Sequence, residues 1–334
     1  MKLVSFFQDG SEKTGLLAGD QVYDLRHLHS GLPGTMDELL KGWDENYPNL
    51  LNLSKEIAQQ AHFKTQGMKV SEITLIAPVP HPPSYRDGYA FRQHVETARR
   101  NRGLDMTPVF DAFPVFYFGN HHTIQGPGTV YGMPDHFKKL DFELEAAAVI
   151  GRKGKNIRAE KADEYIAGLM ILNDLSARTL QMEEMLLNLG PAKGKDFAST
   201  TGPWLVTLEE LQNKLVTCKK NHVGKAWNLK MTASVNGQQV STGNLSDMEW
   251  TFAELTARAS YGAELFPGDI IGSGTVGTGC FLELNGTGKL NNPQYQEQWL
   301  QPGDQIELHI EALGTLRNIL VQETTDYSIL QLKK

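Results

Sequence analysis

The sequence has few cysteines and no long apolar run. Its 334 residues include two cysteines, Cys218 and Cys280, which stand far apart and outside any CxxC or Cys/His spacing typical of zinc sites. This usage argues against a secreted disulfide-stabilised fold and favours a reducing cytoplasm. The longest apolar runs, near 146–150 and 169–172, are far shorter than the roughly 20 residues of a membrane span. Asp9 interrupts the amino-terminal segment, which argues against a signal peptide.

The chain also lacks an excess of positive charge. Its formal net charge is −7 and its pI is about 5.8, which argues against nucleic acid as a partner. The richest basic cluster, at 99–102, is short enough to be a solvated helix end. Apolar residues make up 40% and charged residues 21% of the chain, as is typical of a globular protein.

Residues Leu140–Gly151 place three carboxylates at alternate positions and then continue as an apolar run. Asp141, Glu143 and Glu145 would share one face of a β-strand, because strand side chains alternate between faces. Same-face neighbours lie roughly 7 Å apart, so their charges repel unless they converge on a cation. The pattern predicts either a metal site or an edge strand with a solvated acidic face.

The segment 85–98 places an acid and a histidine on one predicted helix. Asp87 suits the N-cap, and His94 lies two turns further along the same face. The two are then about 10 Å apart along the axis, too far to bind one ion together. If Asp87 binds a metal, His94 is placed to act as a base on a substrate at that metal, although a single helical histidine is more often structural.

Three further positions carry candidate chemistry. Asp174 follows a predicted buried strand, where it suits a metal ligand as well as the N-cap of the next helix. Glu283 stands between two leucines, and a carboxylate in apolar surroundings needs a partner. The loop around Lys195 is glycine-rich, but Asp196 follows the lysine, so the GxxxxGK[ST] phosphate-binding motif is absent.

Four acids from separate segments suit a hard metal ion: Asp87, Glu143, Glu145 and Asp174. Carboxylate oxygens are the ligands that Mg²⁺, Mn²⁺ and Ca²⁺ prefer, whereas zinc favours nitrogen and sulfur. Four ligands leave two octahedral positions, enough for a 1,3-dicarbonyl or 2-oxo acid to chelate, and such a metal stabilises an enolate. The alternative is a non-catalytic protein in which the acids hold a structural Ca²⁺.

Several motifs, in order, resemble the catalytic domain of the fumarylacetoacetate hydrolase family over roughly residues 73–330. They are D-x-Y…R-Q-H at 87–94, E-x-E at 143–145, N-D-x-S-A-R-x-x-Q at 173–181, G-K-x-F at 194–197 and G-T…L-E at 274–283. The resemblance implies a β-rich α+β fold, a mixed β-roll catalytic domain over 73–334, and a homodimer. Residues 1–72 are predicted to be a small N-terminal α+β domain that serves packing or interaction, because its acids and histidines form no recognisable constellation.

The resemblance also implies roles for individual residues. The four acids become ligands of Mg²⁺, with Mn²⁺ or Ca²⁺ as alternatives. His94 becomes the general base, Glu283 its carboxylate partner and Lys195 the group that stabilises a departing carbanion or enolate. Four residues correspond to substrate contacts: Tyr89, Tyr117, Gln181 and Thr275. Asp141 is not a ligand in this pattern and is expected behind the ligands or in solvent.

The implied activity is hydrolysis of a C–C bond in a 1,3-dicarbonyl acid of acylpyruvate or fumarylacetoacetate type, by water that the His–Glu pair activates. Decarboxylation, hydration or isomerisation of 2-oxo acids on the same metal site remains an alternative. The chain departs from fumarylacetoacetate hydrolases proper at Met185, near the place of a substrate tyrosine. Their substrate-binding arginine has no clear counterpart among Arg99, Arg100 and Arg102. The segment 101–113 is predicted to be a lid that brings the base to its partner.

Overall fold

The computed structural model describes residues 1–59 and 67–332. The strands are β1 (Lys2–Gln8), β2 (Ser11–Ala18), β3 (Gln21–Asp24), β4 (Met68–Lys69), β5 (Thr74–Leu75), β6 (Tyr85–Gly88), β7 (Phe116–Gly119), β8 (Ile124–Gln125), β9 (Gly128–Gly132), β10 (Leu140–Asp141), β11 (Leu144–Ile150), β12 (Gly154–Lys155), β13 (Ile166–Asn173), β14 (Ser176–Ala177), β15 (Ser199–Thr207), β16 (Leu215–Val216), β17 (Ala226–Trp227), β18 (Lys230–Val235), β19 (Gln238–Asn244), β20 (Glu264–Leu265), β21 (Ile270–Gly272), β22 (Gln305–Ile310) and β23 (Gly314–Gln322). The α-helices are α1 (Leu25–Leu28), α2 (Met36–Lys41), α3 (Trp43–Gln59), α4 (Arg92–Arg100), α5 (Ala159–Ala162), α6 (Arg178–Met185), α7 (Phe252–Ser260) and α8 (Phe281–Asn291).

A 12-stranded sheet runs through both parts of the described chain. Its order is β4-β3-β2-β1-β15-β13-β11-β21-β6-β7, with β5 paired to β1 and β8 paired to β15. Most neighbours are antiparallel, but β6 pairs with β21 in parallel. Strand β1 pairs with β15 through Leu3↔Leu205, so the N-terminal strands extend the sheet of the main domain. The division of the chain after residue 72 stays a prediction.

A 5-stranded sheet, in the order β19-β18-β22-β23-β9, shares a core with the larger one. Ala146 and Ala148 of β11 belong to the same buried cluster as Met231 of β18 and Leu308 of β22. Two antiparallel hairpins, β18–β19 and β22–β23, supply four of the five strands of this smaller sheet. The β-rich α+β fold predicted from the sequence is therefore confirmed.

The opposite face of β11 packs against the N-terminal part of the chain. Ala147 and Val149 share a second buried cluster with Leu39 and Leu40 of α2. Fully burying a leucine side chain contributes about 1.5–3 kcal/mol, so α2 stabilises the central strand appreciably. Because β11 is buried on both faces, its sequence is a continuous apolar run after Glu145. Within the described ranges, no helix has both the length and the hydropathy needed to cross a bilayer.

Two predicted elements around the candidate site are wrong. Asp87 is not at a helix start but in β6, which pairs with β21 and β7, and α4 begins at Arg92 with Phe91 as its N-cap. The acidic stretch 140–151 is not one strand, because it is interrupted at 142–143 between β10 and β11. This break places Glu143 outside the regular strand pleat, so the simple alternation of faces does not hold there.

Candidate active site

Four carboxylates, two in strands, one in a strand break and one just past a strand end, meet in the interior. Asp87 lies in β6, Glu145 in β11, Glu143 in the break before β11, and Asp174 immediately after β13. One oxygen from each lies within 4.8 Å of the others. All four are buried, the most exposed being Glu143 at 5%. The structure therefore brings together the four acids that the sequence suggests as metal ligands.

The cluster fits a divalent cation. Burial, with the charge of Asp174, raises the pKa of Asp87 to about 7. Burial, followed by the charges of Asp87 and Glu143, raises the pKa of Glu145 well above its usual range. The Oε2 atom of Glu145 is buried without a hydrogen-bond partner among the described residues. Repelling carboxylates with an unpartnered buried oxygen are the donor set that Mg²⁺, Mn²⁺ or Ca²⁺ would satisfy.

Lys195 bridges two of these acids. Its ammonium group forms ion pairs with Glu143 and Asp174, and the hydroxyl of Tyr117 donates to the same Asp174 oxygen. Burial alone would lower the pKa of Lys195, but the charges of Asp174 and Glu143 outweigh it and raise the pKa. Burial and the charge of Asp174 raise the pKa of Tyr117 well above its usual range. Lys195 is therefore cationic and Tyr117 is a neutral hydrogen-bond donor at neutral pH.

His94 and Glu283 form a buried pair between α4 and α8. His94 Nδ1 lies 2.7 Å from Glu283 Oε2, and the N–H of Thr278 donates to Glu283 Oε1 at 2.9 Å. A proton on Nδ1 satisfies the carboxylate and leaves Nε2 with a free lone pair, which is the tautomer a general base needs. The ring of Tyr89 meets the imidazole edge-on, with centroids 5.7 Å apart.

A cavity of about 990 Å³ connects these groups. It is lined by every residue proposed from the sequence for the site except Asp174, which lies behind the lining; the lining members are Asp87, Tyr89, His94, Tyr117, Glu143, Glu145, Gln181, Lys195, Thr275 and Glu283. The hydroxyl of Thr275 donates to Glu145 at 3.3 Å. The structure therefore gathers the candidate residues around one space large enough for a small organic acid.

Asp141 and Arg178 connect the acid cluster to the base. Asp141 is fully buried and accepts hydrogen bonds from the N–H groups of Phe281 at 2.7 Å and Leu282 at 2.9 Å. Arg178 donates to Asp141 from Nε at 2.9 Å and from Nη2 at 2.7 Å, and Nη2 also donates to Glu143 at 2.7 Å. A carboxylate at the first turn of α8 also interacts favourably with the helix dipole.

The possibility that Asp141 is solvated is therefore wrong, and its alternative position behind the ligands is correct. Sequence reasoning missed that Asp141 holds the helix carrying Glu283, and missed its partner Arg178 altogether. The arginine inside the N-D-x-S-A-R motif is Arg178, and its place in the motif was the sequence signal that could have indicated its role. It also donates to the side chain of Gln181 at 2.9 Å, so it orients a proposed substrate contact.

The segment 101–113 is fixed to the rest of the molecule. Phe110 is buried, its carbonyl oxygen accepts from Trp250 Nε1 at 3.0 Å, and Arg92 forms an ion pair with Asp111. Because His94 and Glu283 are already in contact, the prediction that this segment must close to bring them together is wrong. Arg102, near the start of the segment, lines the cavity, and Arg99 and Arg100 do not.

The outer wall of the cavity comes from the end of α6 and the residues after it. Met182 and Met185 line it together with Pro191. Between them lies a short apolar stretch whose side chains are mostly in solvent, Leu186 being 82% and Leu189 77% exposed. This wall is built from exposed residues, whereas the acids and the base lie on buried elements.

Comparison with known proteins identifies the family. The sequence model of the family described as Fumarylacetoacetate (FAA) hydrolase C-terminal matches residues 84–321. A mitochondrial oxaloacetate tautomerase of Rattus norvegicus is 30% identical over 331 residues, covering 96% of this chain and 92% of that protein. A fumarylacetoacetase of Oryza sativa subsp. japonica is 36% identical over 213 residues, covering 54% of this chain and 49% of the rice protein.

Solved structures share the fold. A maleylpyruvate hydrolase from Sphingobium sp. SYK-6, in complex with manganese(II) ion and pyruvate, is 19% identical, covers 97% of this chain and 100% of its own, and superimposes with a TM-score of 0.67. The curated relatives include both a hydrolase and a tautomerase, so the family contains enzymes of more than one reaction type. The family match extends over most of the chain and contains every candidate site residue, and the chain belongs to the fumarylacetoacetate hydrolase family.

Proposed function

We propose that this protein is a divalent-metal-dependent hydrolase that cleaves a C–C bond in a 1,3-dicarbonyl acid of acylpyruvate or fumarylacetoacetate type. The observation that carries the proposal is the His94–Glu283 pair, 2.7 Å apart, in the same cavity as the acid cluster. Hydrolysis needs a base that activates water beside a group that polarises the carbonyl. This cavity combines a histidine base with a set of hard metal ligands.

Asp87, Glu143, Glu145 and Asp174 are the residues that would hold the cation. We propose Mg²⁺, with Mn²⁺ or Ca²⁺ as alternatives, because all four donors are carboxylates. When bound, the cation supplies Lewis-acid polarisation of the substrate carbonyl groups. The manganese(II) complex of the Sphingobium maleylpyruvate hydrolase supports a divalent cation for this fold.

His94 takes a proton from water at Nε2, because Nδ1 donates to Glu283. The carboxylate of Glu283 stabilises the imidazolium that forms, and the Thr278 N–H holds that carboxylate at 2.9 Å. A positioned general base of this kind typically contributes a rate factor of about 10²–10⁴. The water oxygen attacks the distal carbonyl carbon, and the C–C bond next to that carbon breaks.

Lys195 is the cation that stabilises the enolate leaving with the electron pair of the broken bond. The enolate then takes the proton that His94 received, so the net reaction adds water across the bond. It releases a carboxylic acid and an oxo acid, which is a 2-oxo acid from an acylpyruvate and a 3-oxo acid from fumarylacetoacetate. The side chains of Tyr89, Tyr117, Gln181 and Thr275 supply hydrogen-bonding groups around the cavity. We propose that they orient the substrate.

The experiment replaces His94 with Ala and measures turnover on a panel of acylpyruvates and fumarylacetoacetate with added Mg²⁺ or Mn²⁺. We expect kcat to fall by about 10²–10⁴, with metal binding retained because His94 is outside the acid cluster. The matched control is His222→Ala, since His222 also pairs with a glutamate, Glu254, at 3.0 Å but lies away from the cavity. Full activity of the His94 variant would disprove the assigned role.

A second candidate is isomerisation of a 2-oxo acid, which the nearly full-length match to an oxaloacetate tautomerase supports. His94 would then move a proton between carbon and oxygen without adding water; decarboxylase and hydratase activities use the same site. Products formed in H₂¹⁸O decide, because the C–C hydrolase alone yields two fragments with ¹⁸O in the new carboxylate. If the acids instead hold a structural Ca²⁺, a chelator lowers the melting temperature of a protein that has no activity to lose. The cytoplasmic location and the homodimer stay predictions.

A further inference from the structure

We propose that His94, Cys280 and Glu283 form a second metal site, selective for soft divalent cations such as Zn²⁺ or Cd²⁺, whose occupation inhibits the enzyme. The inhibitory effect rests on the proposed role of His94 as the base. The binding itself does not, because it depends only on the three side chains.

The geometry brings three different metal-ligand types together. One ligand atom from each of His94, Cys280 and Glu283 lies within 4.8 Å of the other two, and the most exposed of the three, His94, is 6% exposed. Donors of a tetrahedral zinc site with bonds of about 2.0–2.3 Å lie roughly 3.3–3.8 Å apart. Side-chain shifts of about 1 Å therefore convert the observed cluster into a ligand set.

The site has an open side and a closed side. His94 and Glu283 line the cavity, and Cys280, which is fully buried and free of any disulfide, stands behind them. A cation entering from the cavity can therefore reach a nitrogen, an oxygen and a sulfur donor. Three protein ligands and a fourth position toward the cavity are the arrangement typical of an accessible zinc site.

The donor chemistry separates this site from the acid cluster. Four carboxylates favour hard cations, whereas thiolate and imidazole favour Zn²⁺ and related soft ions. Burial, reinforced by the charge of Asp141, raises the pKa of the Cys280 thiol well above its usual range. Cys280 is therefore a neutral thiol without a cation and transfers its proton to solvent when a soft cation binds.

Occupation blocks the base whichever ring nitrogen of His94 binds the cation. A cation at Nε2 takes the lone pair that accepts the proton from water, and a cation at Nδ1 moves the ring proton to Nε2. A cation bound to the imidazole and to the Glu283 carboxylate breaks the 2.7 Å contact between them. The imidazole then no longer accepts a proton from water with its carboxylate partner in place. Mg²⁺ at the acid cluster would support the reaction, and Zn²⁺ at Cys280 would stop it.

The test uses the full-length enzyme with saturating Mg²⁺ and adds Cd²⁺ or Zn²⁺. We expect Cd²⁺ to produce one equivalent of ultraviolet thiolate-to-metal charge-transfer absorption, which Cys280→Ser abolishes. Cys218→Ser is the matched control and retains the band, because Cys218 is outside the cluster. The Zn²⁺ concentration for half-inhibition rises at least about tenfold in Cys280→Ser, with Mg²⁺-dependent activity unchanged. Cys280→Ala repeats the comparison if the serine variant folds poorly.

Equal Zn²⁺ inhibition of wild type and both Cys280 variants would overturn the proposal, as would a charge-transfer band that disappears with Cys218. A band that depends on Cys280 in a protein that cleaves none of the tested dicarbonyl acids would support the soft-metal site and count against the proposed hydrolase. The binding readout therefore separates failure of the metal site from failure of the proposed function.

Discussion

Replacing Asp141 with Ala should destabilise the fold and impair catalysis together, although Asp141 is not a proposed ligand. The variant leaves the guanidinium of Arg178, which is 3% exposed, without its principal partner. It also removes the acceptor of the two N–H groups that begin α8. Both effects act on the elements that carry Glu143 and Glu283.

The expected loss is large. Removing one member of a buried ion pair costs about 3–5 kcal/mol, because a charge is left in the interior. Each N–H left without a partner adds about 1–3 kcal/mol unless water reaches it. Arg178 keeps its hydrogen bond to Glu143 at 2.7 Å, which offsets part of the loss. We therefore expect the free energy of unfolding to fall by at least about 3 kcal/mol.

The measurement is urea-induced unfolding of wild type and Asp141→Ala, followed by far-ultraviolet circular dichroism. The control is Asp37→Ala, which removes an ion pair with Lys41 whose side chains are 44% and 68% exposed. An exposed pair contributes at most about 1 kcal/mol. If both variants lose less than about 1 kcal/mol, the buried ion pair does not stabilise the fold as we infer.

Three other variants test separate parts of the structure. Glu145→Gln removes one repelling charge, so thermal unfolding should show a higher melting temperature for the metal-free variant than for the metal-free wild type. It also removes a proposed ligand, so Mn²⁺ at 100 times the wild-type Kd, which stabilises the wild type by about 2.7 kcal/mol, should stabilise the variant by less. Burial lowers the pKa of His136 from 6.5 to about 4. Because the unfolded chain then binds the proton first, the free energy of unfolding falls as the pH drops from about 6.5 to 4. His136→Gln should reduce the difference between the free energies of unfolding measured in urea at about pH 7 and about pH 5. Trp250→Phe removes the donor to the Phe110 carbonyl and should speed hydrogen exchange across 101–113 without changing it in β11; unchanged exchange would show that the bond does not anchor the segment.

The site was predictable because its residues form short patterns, each of which is local. E-x-E and the segment around Asp174 are visible in a few consecutive residues. The contact of His94 with Glu283 spans 189 positions and could be expected only because both stand in motifs of one family. Its geometry came from the packing of α4 against α8.

The failures of sequence reasoning have physical causes. Asp87 looked like a helix N-cap, but parallel pairing with β21 and antiparallel pairing with β7 hold it in a strand, and such distant pairing overrides local propensity. Helix α8 was not expected because Gly286 and Gly288 have low helix propensity. Its first turn is stabilised from outside, by the carboxylate of Asp141.

The unequal construction of the cavity walls has an evolutionary consequence. Residues on the wall near Met182 and Met185 are partly exposed, so substitutions there typically change stability by no more than about 0.5 kcal/mol. The acids and Arg178 on the inner wall are buried and linked to one another, so they can change only together. A lineage can therefore acquire new substrates by drift at the outer wall while it inherits the chemistry of the inner wall unchanged.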